Sequence, residues 1–196
     1  MTNKELIWRY LLVESRQRQQ WRWQQKEVAA MLGFAPGTVH RALFVPRRAG
    51  AVAVESRGFR IRDWKKFLLI WAVFRNMSQD RIWQARLKLP PDRVEGQMIP
   101  EARFSGASGF KFRYNYIAAD YDEVLIYLDE GYLDKLKYRF SSHWARFGET
   151  TITVLKPDRL LGDIVPPEQI YVDLWQMSQW WASEFIKALE QEFGID

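Results

Sequence analysis

The spacing of apolar residues changes several times along the first 75 residues, and each change predicts a new element. A helical period after the T-x-x-E capping box at Thr2 predicts a helix that begins near Asn3. Strict alternation at residues 21–23 predicts a short strand. The segment VAAMLGFAPGTVHRAL, residues 28–43, then predicts two short helices separated by a glycine.

Alternation returns after Gly50 and predicts a two-stranded hairpin with a turn at Gly58, a residue free to adopt a positive φ. One face of the hairpin is cationic and carries Arg60 and Arg62. The opposite face is apolar and carries Val52, Val54, Phe59 and Ile61. Asp63 is a good N-cap for the apolar segment WKKFLLIWAVFRN, so the predicted order is helix, strand, helix, helix, hairpin, helix.

The rest of the chain predicts a mixture of strands and helices. Apolar and β-branched residues predict buried strands at 124–128 and 150–155. Helical spacing predicts helices at 131–140, 166–175 and 178–193. The fold class is therefore α+β.

A pair of adjacent prolines closes the segment 76–91, which is typical of a domain junction. We therefore predict one domain over residues 1–76 and a mixed α/β domain over residues 92–196. Residues 1–75 contain 15 Lys and Arg against 5 Asp and Glu, a net charge of +10, whereas the remaining residues carry a net charge of −5. The basic part is the candidate for a polyanionic partner.

Composition narrows the possible chemistry. The chain has no cysteine, which excludes disulfides and cysteine-based catalysis and fits a reducing cytoplasm. The two histidines, His40 and His143, are far apart in sequence, so neither a metal site nor a cofactor is predicted. No apolar run approaches the roughly 20 residues that span a bilayer, so we predict a cytoplasmic protein with no membrane contact.

The two helices joined by a glycine have most of the residues that a DNA-binding helix-turn-helix needs. Ala29 is small where the helices cross, Gly33 tolerates the left-handed geometry of the turn, and Val39 is an apolar anchor. Two positions fit less well. Ala35 occupies the N-cap, where Ser or Thr is commoner, and Pro46 must end or bend the second helix.

The exposed face of the second helix carries Thr38, His40 and Arg41, which can hydrogen-bond base edges or phosphates. No acidic residue occurs from position 28 to position 50. The alternative is a pair of helices that only pack against each other, with the glycine as an ordinary C-cap. The basic half of the chain and the cationic hairpin favour DNA.

Residues 3–75 resemble the winged helix-turn-helix family, in which the hairpin is the wing. The resemblance implies that Thr38, His40 and Arg41 enter the major groove. Basic side chains around them would meet phosphates and give affinity without sequence preference; these are Lys26, Arg47, Arg48, Arg57, Arg60 and Arg62. For any single one of them, a solvated basic face is the alternative interpretation.

The second half contains a pattern partly typical of nucleotidyltransferases, which place a Gly-Ser pair at a helix start and two magnesium-binding carboxylates on the next strand. Ser108 precedes Asp120 and Asp122 by a suitable distance. However, the Gly-Ser order is absent, and the later strand supplies no third carboxylate. An acidic turn before a strand is the simpler interpretation, and we predict that the protein is not an enzyme.

The winged helix, the SGASGFKF and YDEVLIYLD segments and the closing PPEQIYVDLW helix are together similar to the AbiEi-type antitoxin and transcriptional regulator group. That resemblance implies an N-terminal domain that binds operator DNA and a C-terminal domain that supports autoregulation or toxin neutralisation. The sequence thus predicts a sequence-specific, antitoxin-like regulator that binds double-stranded DNA as a homodimer, because two-fold operators need a dimer, with a toxin-like protein as a further partner. A winged helix that only docks another protein is the alternative.

Overall fold

A computed structural model describes residues 1–195, which form an α+β fold with two separate sheets. This confirms the predicted fold class. The chain divides into two compact units, Met1–Arg75 and Asn76–Asp196, and is described below one unit at a time. Asp196, the last residue of the predicted second domain, lies outside the described residues.

The first unit contains the predicted elements in the predicted order, together with one short additional helix at Phe44–Arg48 that the sequence does not predict. They are α1 (Asn3–Arg18), β1 (Arg22–Trp23), α2 (Gln25–Leu32), α3 (Pro36–Ala42), α4 (Phe44–Arg48), β2 (Val52–Glu55), β3 (Gly58–Ile61) and α5 (Trp64–Phe74). The three strands form an antiparallel sheet in the order β1-β3-β2. The capping box at the start of α1 is present, with the Glu5 amide 3.3 Å from Thr2 Oγ1 and the Thr2 amide 2.9 Å from Glu5 Oε2.

The hairpin has the predicted turn and the predicted two faces. Gly58 has φ 145°, and a Cβ at this position would lie 2.2 Å from the carbonyl oxygen of Trp23, so both the backbone angle and the close approach of β1 require glycine. Phe59 and Ile61 are buried. Val54 lies directly opposite Phe59 and shares its face, yet it is 55% exposed, so near the turn the apolar face is buried on the central strand β3 but not on the edge strand β2.

Helix α1 is the centre of the first unit, and indole N–H groups fix other elements to it. Trp64 Nε1 donates to the Leu12 carbonyl at 3.0 Å, and Trp23 Nε1 donates to Ser15 Oγ at 2.9 Å. Trp8, on α1 itself, is fully buried. A buried N–H group without an acceptor is costly, so these bonds help to specify how β1 and α5 pack on α1.

The second unit contains four strands and five α-helices among its described residues. They are β4 (Arg81–Leu87), α6 (Pro91–Gly96), β5 (Arg103–Ser105), α7 (Gly106–Tyr114), β6 (Glu123–Tyr127), α8 (Leu133–Arg139), β7 (Thr150–Leu155), α9 (Pro167–Trp175) and α10 (Ala182–Phe193). The sheet order is β4-β7-β6-β5, with β6 and β7 parallel and the other neighbours antiparallel. The strands predicted at 124–128 and 150–155 are β6 and β7.

Helices cover both faces of this sheet. Val124 and Ile126 of β6 belong to one apolar cluster, together with Val94 of α6 and Leu136 of α8. Leu125, which points to the other face, contacts the start of α7. The central strands β6 and β7 are therefore buried on both faces, as their nearly continuous apolar sequences predict.

Two sequence predictions are wrong in this unit. Most of the segment 76–91, predicted as a domain junction, instead belongs to the second unit and supplies the edge strand β4. Its residues are mostly exposed or half-buried and include two arginines, so they lack the apolar pattern of a buried strand. The last helix begins at Ala182 and not at residue 178, because the preceding residues form a turn in which the Ala182 amide donates to the Gln179 carbonyl.

A candidate nucleic-acid interface

The turn between α2 and α3 is built on Gly33, which caps α2 in the left-handed conformation with φ 67°. Helix α3 begins after Ala35, whose side chain makes no capping hydrogen bond, and has Pro36 in its first turn. Gly33 thus adopts the left-handed geometry of the turn that the sequence predicts. The missing cap at Ala35 leaves the start of α3 without the side-chain support that Ser or Thr would give.

Helix α3 is clearly divided into a buried and an exposed face. Val39 and Ala42 are buried, with exposed fractions of 0% and 3%, whereas His40 and Arg41 are exposed and Thr38 is half-buried. Arg41 Nη2 lies 3.4 Å from Thr38 Oγ1, so these two side chains share one side of the helix. His40 projects about 100° around the helix axis from Arg41. The structure therefore brings Thr38 and Arg41 together but does not group His40 with them.

The end of α3 is set by Pro46, which the sequence predicts to end or bend this helix. In a continuous helix the Ala42 carbonyl would accept a hydrogen bond from residue 46, but proline has no N–H and its ring clashes with that carbonyl. The helix accordingly stops at Ala42, and α4 begins at Phe44. The indole of Trp8 donates to the Ala42 carbonyl at 2.8 Å in a buried bond and so supplies the missing donor.

Helix α4 presents two of the predicted phosphate-binding residues. Arg48 is exposed and its guanidinium lies 5.6 Å from the centre of the Phe44 ring, which is itself 58% exposed. Arg47 is half-buried. The cation–π contact orients Arg48 without neutralising its charge.

The arginines in and beside the hairpin, which are predicted to belong to a wing, differ in their surroundings. Arg57 is exposed in the turn of the hairpin, and Arg62 is exposed just after β3. Arg60 lies 3.7 Å from Glu55, and Arg22 lies 3.2 Å from the same carboxylate. Glu55 therefore offsets part of the positive charge on this face. Exposed ion pairs of this kind are weak, so a polyanion can compete for these arginines.

Arg22 is a cation that sequence analysis missed. The register places it directly opposite Arg60 on the outer face of the sheet. Its outward orientation follows from its position between Trp21 and Trp23, but its closeness to Arg60 depends on the pairing of β1 with β3. Arg22 therefore belongs with the candidate interface.

The predicted residue Lys26 lies in the first turn of α2 and is exposed. Its neighbour Glu27 lines a shallow cleft of about 240 Å³ together with Arg22, Glu55 and Arg57. The first turn of α2 thus lies close to the wing, and two carboxylates lie among these cations.

The residues of the nucleotidyltransferase alternative are not gathered into one site. Ser108 is fully buried in α7. Asp120 and Asp122 are exposed before the start of β6, and Asp122 Oδ1 accepts a hydrogen bond from Trp181 Nε1 at 3.0 Å. Asp122 thus has a structural partner, and the neighbouring Glu123 is the carboxylate that faces the inside of the unit.

Within residues 1–195, no group of three or more His, Asp or Glu side chains is placed to hold a metal ion. None of the helices in this range combines the length and the apolar composition needed to cross a bilayer. The chain matches no protein-family model, no curated protein and no solved structure with which it was compared.

Proposed function

We propose that residues 1–75 form a winged helix-turn-helix that binds double-stranded DNA sequence-specifically, and that the protein is a transcriptional regulator. The order helix, strand, helix, helix, hairpin, helix supports the first part, as does the three-stranded sheet that ties the hairpin to β1. The net charge of +10 on this unit supports a polyanionic partner.

The observation that carries the proposal is the division of α3. Its buried face packs on α1 and α2 through Val39 and Ala42, which leaves Thr38, His40 and Arg41 for a partner. These are side chains that hydrogen-bond base edges in the major groove, and arginine pairs well with guanine. A helix that only packed would more often carry Glu or Asp on its exposed face, and no acidic residue occurs from position 28 to position 50.

The surrounding cations give the second part of the argument. Arg48, Arg57 and Arg62 are exposed, and none of them lies within ion-pair distance of a carboxylate among the described residues. Arg22 and Arg60 share the single carboxylate of Glu55. Phosphate contacts by such residues provide affinity that falls steeply with salt concentration.

The test is selection of duplexes from a random-sequence pool by the full chain, followed by affinity measurements on an enriched site. Arg41→Ala should weaken binding by about 5- to 150-fold and relax the preference at one base position, because a bidentate base contact contributes about 1–3 kcal/mol. Arg57→Ala should weaken binding to all duplexes similarly and reduce the salt dependence by about one phosphate contact.

The matched control is Arg18→Ala, which removes an exposed cation at the end of α1 that pairs with Glu14. It should leave binding nearly unchanged. If no motif is enriched and Arg41→Ala binds every duplex as well as the wild type, the DNA-binding proposal is wrong.

A protein-docking role is the second candidate, and exposed apolar side chains favour it. Met31, Phe44 and Val54 are 64%, 58% and 55% exposed in the first unit. In an antitoxin-like regulator, such a surface would contact a toxin-like protein or a second copy of the chain. Sedimentation of the full chain over a range of concentrations tests for the homodimer, and unchanged dimerisation in Phe44→Ser would remove Phe44 from that role.

A further inference from the structure

The second unit contains a polar cavity of about 370 Å³ that the DNA-binding proposal does not use. Its wall includes the first residues of the unit, the sheet strands β4, β6 and β7, and the turn between α9 and α10. Amide and hydroxyl side chains predominate. Among the described residues, two charged side chains line it, Glu123 and Arg81, and their charges are opposite.

Glu123 is the buried charged group of this cavity, with an exposed fraction of only 6%. Its Oε1 accepts a hydrogen bond from Thr153 Oγ1 at 2.6 Å, and its Oε2 accepts one from Gln179 Nε2 at 2.9 Å. Each oxygen of a carboxylate can accept a second hydrogen bond. Glu123 thus has acceptor capacity left on the side that lines the cavity.

Gln179 adds a second unused acceptor to the same end of the cavity. While its Nε2 donates to Glu123, its Oε1 is enclosed and has no hydrogen-bond partner among the described residues. A buried polar atom without a partner costs free energy. A ligand with two or more N–H groups would satisfy this oxygen and the carboxylate together.

Arg81 provides the opposite charge at the first residue of β4. Its Nη1 lies 3.4 Å from Gln84 Oε1, and Gln84 Nε2 donates to Thr153 Oγ1 at 2.9 Å. A chain of hydrogen bonds therefore runs from Arg81 through Gln84 and Thr153 to Glu123. These contacts hold both charged groups in place without bringing them into direct contact, so each remains able to bind a ligand.

The raised pKa of Glu123 is consistent with a site that binds a cation next to this carboxylate. Burial is the largest cause that raises the pKa of this carboxyl, and the negative charge of Asp122 raises it further. The bonds from Thr153 and Gln179 and the charge of Arg81 lower the pKa, but they do not compensate fully. A cation bound next to Glu123 would supply the missing compensation.

We propose that this cavity binds a small zwitterion of the amino-acid class, with its ammonium group at Glu123 and Gln179 and its carboxylate at Arg81. The two charges of the lining match those of such a ligand in sign and number. The volume lies within the range of small-molecule sites in proteins, roughly 300–1,000 Å³. This inference goes beyond the proposed DNA binding and does not depend on it.

The experiment is titration calorimetry of the full chain with each standard free L-amino acid in turn. For an amino acid that binds, two analogues are then compared with it, the amine that lacks the carboxylate and the acid that lacks the amino group. Each analogue should bind at least about tenfold more weakly than the parent, because each loses a charged hydrogen bond.

Two variants assign the ends of the ligand. Glu123→Gln should weaken binding of the parent about tenfold or more but leave the deaminated acid unaffected, whereas Arg81→Gln should weaken the parent and leave the amine unaffected. Arg86→Gln is the matched control, because Arg86 is an exposed arginine of the same strand that does not line the cavity. Circular dichroism verifies that each variant is folded.

Three outcomes would overturn the proposal: no amino acid binds at about 10 mM, the analogues bind as well as the parent, or binding persists unchanged in Arg81→Gln. Arg81 is exposed, so this variant remains informative even where Glu123→Gln fails to fold. Duplex binding by the same preparations is measured separately, so failure of this proposal and failure of the DNA-binding proposal are distinguishable.

Discussion

The two units differ in the bonding partners of their buried polar groups. In residues 1–75, buried indole N–H groups bond to α1 or to the end of α3, and most charged side chains face outward. In the second unit, carboxylates and hydroxyls are buried and bond to one another. The first unit thus uses indole donors to tie its elements together and has a buried ion pair between Glu5 and Arg75, whereas in the second unit one buried carboxylate bonds to several elements.

The clearest case in the second unit is Asp173 of α9, which is fully buried. Its Oδ2 accepts hydrogen bonds from Ser105 Oγ and Tyr127 OH, each at 2.8 Å, and its Oδ1 accepts one from Gln169 Nε2 at 2.8 Å. One carboxylate therefore joins α9 to β5 and β6. This arrangement makes the second unit dependent on a single side chain to a degree that the first unit is not.

The largest expected effect follows from removing that carboxylate. Asp173→Ala should lower the free energy of unfolding by about 3 kcal/mol or more, because three buried donors lose their acceptor. Urea unfolding monitored by circular dichroism measures it. Asp134→Ala, at a side chain that is 99% exposed, is the control and should change stability by less than about 0.5 kcal/mol. Equal effects of the two substitutions would contradict the special role of Asp173.

A smaller effect is expected from Trp8 in the first unit. Trp8→Phe should cost about 1–3 kcal/mol more than Trp71→Phe, because only Trp8 bonds to a carbonyl that has lost its helical donor. Trp71 is an apt control since it is also fully buried, while its indole N–H has no acceptor among the described residues. Equal losses in the free energy of unfolding, measured with urea, would show that the Trp8–Ala42 hydrogen bond does not contribute to stability.

The smallest effect concerns the pH dependence of Glu123. Because burial raises the pKa of this carboxyl in the folded state, the unfolded chain loses the proton first as pH rises from the ordinary value of 4.5. Glu123 therefore contributes most to stability at or below that pH, and its contribution falls as pH rises to the folded-state pKa and is constant above it.

Glu123→Gln removes this titration, so the stability of the wild type relative to the variant should fall across that interval. The expected result is the sign of this change, a fall in relative stability as pH rises. Asp122 and Arg81, the charged groups that act on Glu123, are present in both proteins. Urea unfolding at several pH values measures the difference, and a difference that rises with pH would contradict the assigned shift.

Much of the fold could be predicted because the local pattern was strong. Strand β7 matches the predicted residues 150–155, and α1 begins at Asn3 as its capping box indicates. Strand β4 could not be predicted, because it lies at the sheet edge with mixed exposure and its partner β7 is more than 60 residues away. The hydrophobic periodicity of a sequence reflects burial, and an edge strand is little buried.

In the candidate interface, too, some features follow from the local sequence and others depend on the tertiary fold. The exposure of His40 and Arg41 and the burial of Val39 follow from helical spacing alone, while their roles on DNA stay predictions. The Glu55 pairings of Arg22 and Arg60 required the register of three strands. Likewise, no local pattern indicates that Glu123 and Arg81 line one cavity, since tertiary folding alone joins them.

Under the proposed DNA-binding function, the break that Pro46 causes limits how much sequence information α3 can read. Helix α3 has 7 residues, so its length is about 10 Å, which corresponds to roughly three steps of the B-form duplex. A helix of this length can specify only a short base sequence, and a sequence that short recurs very often in any genome. Recognition of a unique genomic site would therefore require further base contacts, made by the proposed wing, by neighbouring copies of the protein, or by both.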